Sequence, residues 1–218
     1  VAFGTPELQE RFIPPIISGT EHRCQGYSEP DAGSDLANVS TRARLSADRW
    51  LVTGQKTWTS LAQYAQWAFV LCRTDSTSER HAGLSYLLVP MDQQGVEVRQ
   101  IVQVTGGSEF NEVFFEDAVT DAGMVVGGAG NGWAVAMGTL GFERGASTLG
   151  QQTGYRRELD SLLELARANG SIDDPSLRQD LMRSYSELEI LRYNQLRMLT
   201  ALVADAVPGP EMSIGKLY

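Results

Sequence analysis

Two cysteines, Cys24 and Cys72, and two histidines, His22 and His81, are all that the 218 residues contain. Two thiols define no disulfide framework, so a reducing compartment, the cytoplasm, is expected. The histidines lie far apart, no Cys/His spacing suits zinc, and no metal site is expected; both are read as surface residues. Serines are plentiful, but none sits in a nucleophile-elbow pattern, which leaves a Ser–His–Asp hydrolase without its signature. No apolar run approaches the ~18–20 residues of a membrane span, and no signal-peptide pattern is visible. Positive charge is in deficit: 18 Lys and Arg against 27 Asp and Glu leave a net charge of −9, the opposite of the basic footprint that nucleic acid demands. Internal repeats and low-complexity tracts are absent.

Hydrophobic residues make up 42% of the chain, so a packed core is expected and disorder is not. The length suits one large domain or two small ones. The sequence opens at Val1 rather than Met and closes on "SIGKLY", which reads as a helix just beginning; a piece of a longer protein is expected. Residues Pro6 to Ser18 read as a short helix with Leu8, Phe12, Ile16 and Ile17 on one side and Gly19 as its C′ residue. From about Val39 to Val126 come short runs rich in β-branched and aromatic residues ("RWLVTGQKTW", "QWAFVLCR", "LSYLLVPM", "GVEVRQIVQV", "NEVFFED"), separated by turn residues. These predict a mainly antiparallel sandwich or barrel. After "VVGGAGNG" the pattern is helical to Asn169-Gly170. Asp174 as N-cap and Pro175 at N1 then restart a helix with a stripe of Leu177, Leu181, Tyr185, Leu188 and Leu191, reaching about Val207 before Pro208-Gly209-Pro210. The fold class is α+β: an antiparallel β-barrel or sandwich flanked by an N-terminal helix and a partial C-terminal helical bundle. The divisions fall at 1–22, 23–127 and 128–218.

Four stretches carry chemistry. "CQGYSEPDAGSD" (Cys24 to Asp35) holds Pro30, Gly33, two serines and three carboxylates with no Lys or Arg; it reads as a loop dense in hydroxyls and backbone N–H groups. "GQKTWTS" ends a strand with Trp58 among hydroxyls, which suits either an ordinary half-buried strand or a stacking surface for a flat heteroaromatic ring. "VVGGAGNGWAVAMGTL" suggests a dinucleotide turn, but G-x-G-x-x-G/A fails in both frames, at Trp133 and at Val135, leaving a flexible turn ahead of a helix. "TLGFERGAS" sets Glu143 and Arg144 on a helix carrying Gly138, Gly141 and Gly145. Each glycine weakens a helix by about 1 kcal/mol relative to Ala, a cost more easily understood where a ligand or another backbone comes close. Otherwise Glu143 and Arg144 are a solvated pair of side chains.

Taken together, "YSEPDAGSD", "GQKTWTS", the Gly-rich turn and "FERG" closely resemble the flavin-dependent acyl-CoA dehydrogenases, over about Phe3 to Tyr218. The resemblance implies the tail of an N-terminal helical domain, a whole middle β domain and part of a C-terminal four-helix bundle. FAD is the implied cofactor and an acyl-CoA thioester the implied substrate. An electron-transfer flavoprotein is the implied acceptor, and a homo- or hetero-oligomer, dimer or tetramer, the implied assembly. The resemblance places Ser28 against the flavin, with Gln25 and Tyr27 at flanking flavin-contact positions. Ser34 matches a serine near the thioester and is assigned to both cofactor and substrate. Trp58 matches the aromatic residue packed on the flavin, Ser60 the hydroxyl directed at flavin N5, and Thr59 lies beside it. Glu143 is implied as the base that removes the proton alpha to the thioester. Arg144 is implied as a contact to cofactor and substrate.

The implied function is alpha,beta-desaturation of an acyl-CoA, of the fatty-acid or steroid side-chain type. Two alternatives keep the same scaffold: a non-catalytic partner subunit of a hetero-oligomeric dehydrogenase, and a flavin oxidase or monooxygenase. Two departures stand out. Gly141 occupies a position where the family often has Asp. "ARANGSIDDPSLRQ" stands where an R-K-x-F-G stretch would reach a neighbouring subunit's FAD. The second is similar to a bacterial branch that handles bulky acyl-CoAs, steroid side chains included, and in part pairs unlike subunits. Because much of the cofactor surface is missing, the 218-residue chain alone is expected to be inactive and to hold FAD weakly or not at all.

Overall fold

A computed structural model describes residues 1–204, apart from the side chains of residues 144–149 and 202. The chain divides into two compact units, Val1–Met137 and Gly138–Tyr218.

The first unit opens with α1 (Pro6–Ser18), the span expected from its caps. Thr5 Oγ1 accepts from Leu8 N at one end, and Gly19 adopts a left-handed φ of 69° at the other. Leu8 and Phe12 are buried, but Ile16 and Ile17 are 52% and 80% exposed, so the expected four-residue apolar side is only its first half. Eight strands follow: β1 (Arg23–Gly26), β2 (Arg42–Ser46), β3 (Arg49–Ser60), β4 (Trp67–Arg73), β5 (Leu84–Pro90), β6 (Val96–Ile101), β7 (Phe110–Asp121) and β8 (Val125–Val126). They form one sheet in the order β6-β7-β3-β2-β4-β5-β8, with β1 added to β4. The path is open rather than a closed barrel. Pairing is antiparallel except where β4 receives β1 at Trp67–Val70 and, beyond it, β2 at Arg73.

One element was not expected. Cys24–Gly26, read as part of the loop, extend as β1. The reason is partly Gly26: a Cβ there would lie 3.3 Å from Val70 and 3.4 Å from the Lys56 stem, so a larger residue would push those side chains back. Period-two alternation sends Val52, Val70, Cys72, Leu87, Val89 and Val113 into one core, each at most 1% exposed. Burial of each such side chain contributes about 1.5–3 kcal/mol.

The Gly-rich turn seats the start of α2 (Gly132–Ala168) on β5. A Cβ on Gly132 would meet the Ser85 backbone at 2.5–2.7 Å, and Gly130 N donates to Ser85 Oγ at 2.9 Å. The glycines here serve a close backbone approach.

In the second unit, the later turns of α2 pair with α3 (Pro175–Val203) through a short turn at Ser171–Asp173. Asp174 caps α3 as expected, its Oδ1 accepting from Ser176 N at 2.7 Å. Leu181, Leu188 and Leu191 of the expected stripe are buried with Leu159 and Ala166, and Leu177 packs beside them; Tyr185 is 38% exposed. Arg156 bridges to Glu189 across the pair at 3.0 Å. The expected end of this helix near Val207, Pro208-Gly209-Pro210 and "SIGKLY" lie outside the described residues. No helix among the described residues is long and apolar enough to cross a membrane.

Candidate functional site

Ser28 and Trp58 lie 30 residues apart in sequence, and β3 brings them together. Thr57 N donates to Ser28 O at 2.9 Å, which sets Trp58 one residue from the loop. The loop itself turns tightly, with Glu29 and Ala32 exchanging backbone bonds at 2.9 and 3.1 Å. Ser34 lies exposed beyond that turn. Gln25 is half-buried on β1 opposite Phe69. Tyr27 is 4% exposed, its ring edge-on to Phe69 and Tyr86. It is packed among aromatics rather than presented at the surface.

Strict alternation along β3 would turn Trp58 inward with Val52 and Lys56. The pairing with β7 shifts register between Lys56 and Thr59, and Trp58 takes a left-handed φ of 57°. This is a bulge, a device that re-aims a side chain, and a non-glycine residue in that region carries strain. Trp58 is therefore 60% exposed, its ring edge-on to Phe110 at 6.0 Å. Ser60, opposite Phe110, is also exposed. Thr59 goes the other way: it is 1% exposed, and its hydroxyl has no hydrogen-bond partner among the described residues.

Beneath Ser28 and Trp58 lies a buried ion pair that the sequence reading passed over. Lys56 is fully buried, and its Nζ donates to Glu29 Oε1 at 2.8 Å, Tyr27 O at 3.0 Å and Leu71 O at 2.7 Å. Glu29 Oε1 also accepts from Thr41 N at 2.9 Å, and Oε2 from Ser40 N at 2.6 Å and Ser40 Oγ at 2.8 Å. Burial pushes the Glu29 carboxyl up, but the Lys56 ammonium and the Ser40 and Thr41 donors outweigh it and hold the group at about 2. Burial pulls Lys56 below the usual lysine range, against the attraction of Glu29. A signal was available: Val52, Gly54 and Lys56 share a parity on β3, so alternation alone puts Lys56 inside.

Both cysteines are buried and unbridged, and burial pushes their thiols up to about 12. The described residues gather no cluster of three or more His, Cys, Asp or Glu able to hold a metal. His81 is exposed and stacks on Trp133 at 4.1 Å.

In the helical unit Glu143 is exposed on α2. The side chain of Arg144 lies outside the described residues. A Cβ on Gly141 would meet nothing within 4 Å, so no neighbour among the described residues explains that glycine.

Comparison with known proteins decides the family. The acyl-CoA dehydrogenase middle domain matches residues 24–118, and the acyl-CoA dehydrogenase C-terminal domain matches residues 130–218. The chain belongs to the acyl-CoA dehydrogenase family. It is 62% identical over 192 residues to the acyl-CoA dehydrogenase IpdE1 of Mycobacterium tuberculosis (strain ATCC 25618 / H37Rv), a match covering 88% of this chain and 50% of the relative. Among solved structures, the Tcur3481-Tcur3483 steroid ACAD superposes with a TM-score of 0.90 at 31% identity, over 99% of this chain and 56% of the other. The ChsE4-ChsE5 complex from Mycobacterium tuberculosis gives 0.82 at 32%, with the same coverage. The chain spans about half the length of the curated relatives it matches.

The surface around Trp58 fits the flavin of this family. A neutral planar ring needs an aromatic face and hydrogen-bonding groups rather than cations. An exposed indole on a bulge, with Ser28 and Ser60 beside it, supplies both.

Proposed function

We propose that this chain forms the middle and C-terminal part of an FAD-dependent acyl-CoA dehydrogenase, divided into an N-terminal tail (1–22), a middle domain (23–127) and a helical domain (128–218). The observation that carries the reading is the Trp58 bulge: backbone strain is accepted at the one place where an indole ring is turned outward beside the Ser28 loop. Trp58 offers a stacking surface. Ser28 and Ser60 orient the ring edge by hydrogen bonds, with Gln25, Tyr27 and Thr59 supporting the same wall. Ser34 and Arg144 are assigned to the thioester end of the substrate. The Glu143 carboxylate removes the proton alpha to the thioester carbonyl, as a positioned general base. FAD, when bound, would supply the acceptor for the hydride that leaves the beta carbon. The product is the enoyl thioester.

Likeness to the Tcur3481-Tcur3483 steroid ACAD and the ChsE4-ChsE5 complex supports a steroid-type acyl chain and an oligomer of like or unlike subunits. An electron-transfer flavoprotein is the proposed acceptor. The unbridged thiols accord with a cytoplasmic setting.

The test uses the full-length protein. Trp58→Ala removes a ring that is 60% exposed, so its Tm should stay near the parent's while the Kd for FAD rises at least about tenfold, in the range of aromatic stacking losses. Unchanged FAD affinity removes Trp58 from the cofactor wall.

A further inference from the structure

Lys56 has no assigned part in the chemistry, yet it is bonded to both sides of Ser28. Its Nζ donates to the carbonyl of Tyr27 and to the carboxylate of Glu29, the residues immediately before and after Ser28. The next residue along β3, Thr57, donates its N–H to the Ser28 carbonyl itself. Ser28 is thus held at three consecutive points by two consecutive residues of one strand. The same Lys56 is where the register shift that turns Trp58 outward begins. Glu29, for its part, gathers Ser40 and Thr41, tying down the far end of the loop.

We infer that Lys56, through its buried contact with Glu29, is a positioning residue that sets the Ser28 carbonyl and the Trp58 ring in register with each other as one cofactor-facing unit. The inference rests on the flavin reading for what the unit faces, but not for the geometry. A buried ion pair is weak evidence of stability, because well-packed apolar residues of similar volume often replace it without loss. What an apolar pair cannot do is donate to the Tyr27 and Leu71 carbonyls or accept from Ser40 and Thr41. The functional cost of removing the pair should therefore outlast the stability cost.

The experiment compares the full-length parent with the double variant Glu29→Leu/Lys56→Met. Three quantities are read: Tm, the exchange rate of the Thr57 amide hydrogen, and the Kd for FAD. Positioning predicts Thr57 exchange faster by at least about tenfold and FAD binding weaker by at least about tenfold, alongside the fall in Tm that the unpaired Tyr27, Leu71, Ser40 and Thr41 backbone groups bring. Exchange and Kd both within twofold of the parent overturn the inference. So does a folded double variant in which FAD binding weakens while Thr57 exchange stays at the parent's rate, since the pair then does not hold Ser28. Should the double variant not fold, Ser40→Ala decides. It removes one hydroxyl donor from Glu29, and Thr57 exchange should rise at least twofold at unchanged Tm; unchanged exchange overturns the inference. A parent that binds no FAD sinks the flavin reading alone, and the Thr57 exchange rates then decide for or against the positioning role.

Discussion

In the β unit, Val52, Val70, Leu71, Leu84, Leu87 and Val89 are all 0% exposed; in the described part of the helical unit, the most deeply buried apolar residue, Ala166, still keeps 5%. Eight strands with α1 and the start of α2 cover their own core, and even their charged group, Lys56, finds three acceptors inside. Two helices can bury only the stripe between them. Leu162, Leu165, Met182, Ile190, Tyr193 and Leu196 remain 44–60% exposed on the other faces, more apolar surface than a self-sufficient helical hairpin would carry. The first unit exposes large apolar residues as well, Ile17, Tyr64, Val102 and Val104 among them, so the contrast lies in the depth of the two cores.

The largest effect should come from the helical half. In the full-length, FAD-loaded protein, Glu143→Gln keeps the size of the side chain and removes its basicity. Flavin bleaching by acyl-CoA in a stopped-flow instrument should slow by on the order of 10²–10⁴, with FAD binding spared. Near-parent bleaching would move the base elsewhere in the protein and leave Glu143 a pocket residue.

Stability should show the opposite bias. Lys56→Met alone leaves the buried Glu29 carboxylate without its counter-ion and should cost about 3–5 kcal/mol. Leu188→Ala, in the thinner helical core, should lie at the low end of the usual range, about 2 kcal/mol. Urea unfolding of the full-length protein, followed by tryptophan fluorescence for the β unit and by far-ultraviolet circular dichroism for the helices, measures both. A larger loss from Leu188→Ala would reverse the ranking of the two cores.

Glycine sharpens the contrast. Gly132→Ala forces a Cβ into the Ser85 backbone and should destabilise by about 1–3 kcal/mol. Gly141→Ala meets open space and should stabilise its helix by up to about 1 kcal/mol. If Gly141→Ala holds its stability but loses acyl-CoA affinity, that glycine makes room for substrate.

One effect depends on pH. The Glu29 pKa is depressed in the folded protein, to about 2, so its contribution is fully present above the unfolded value of about 4.3 and fades as pH falls through 2. Parent and Glu29→Gln should converge in stability across that window. A constant difference between them down to pH 2 would show that Glu29 is not ionised in the fold.

Much of this was legible beforehand because it depends on neighbours in sequence. Thr5 and Gly19 bracket α1, and Asp174-Pro175 starts α3, because a helix end is decided by the few backbone groups that its adjacent residues can satisfy. Alternation along "RWLVTGQKTW" and "NEVFFED" announced strands for the same local reason. The paired motifs "YSEPDAGSD" and "GQKTWTS" were enough to indicate the acyl-CoA dehydrogenase family. What local pattern could not say is which side chain faces which way after a register shift. The bulge at Trp58 arises because β3 must pair with β7 and at the same time hold the Ser28 loop. The strand character of Cys24–Gly26 exists only because β4 offers a parallel edge and Gly26 leaves space for Lys56. Glu29 looked like one carboxylate among three in a solvated loop. Only the folded sheet brings a buried ammonium within 2.8 Å of it, because the two residues lie 27 positions apart in sequence and meet through tertiary pairing alone.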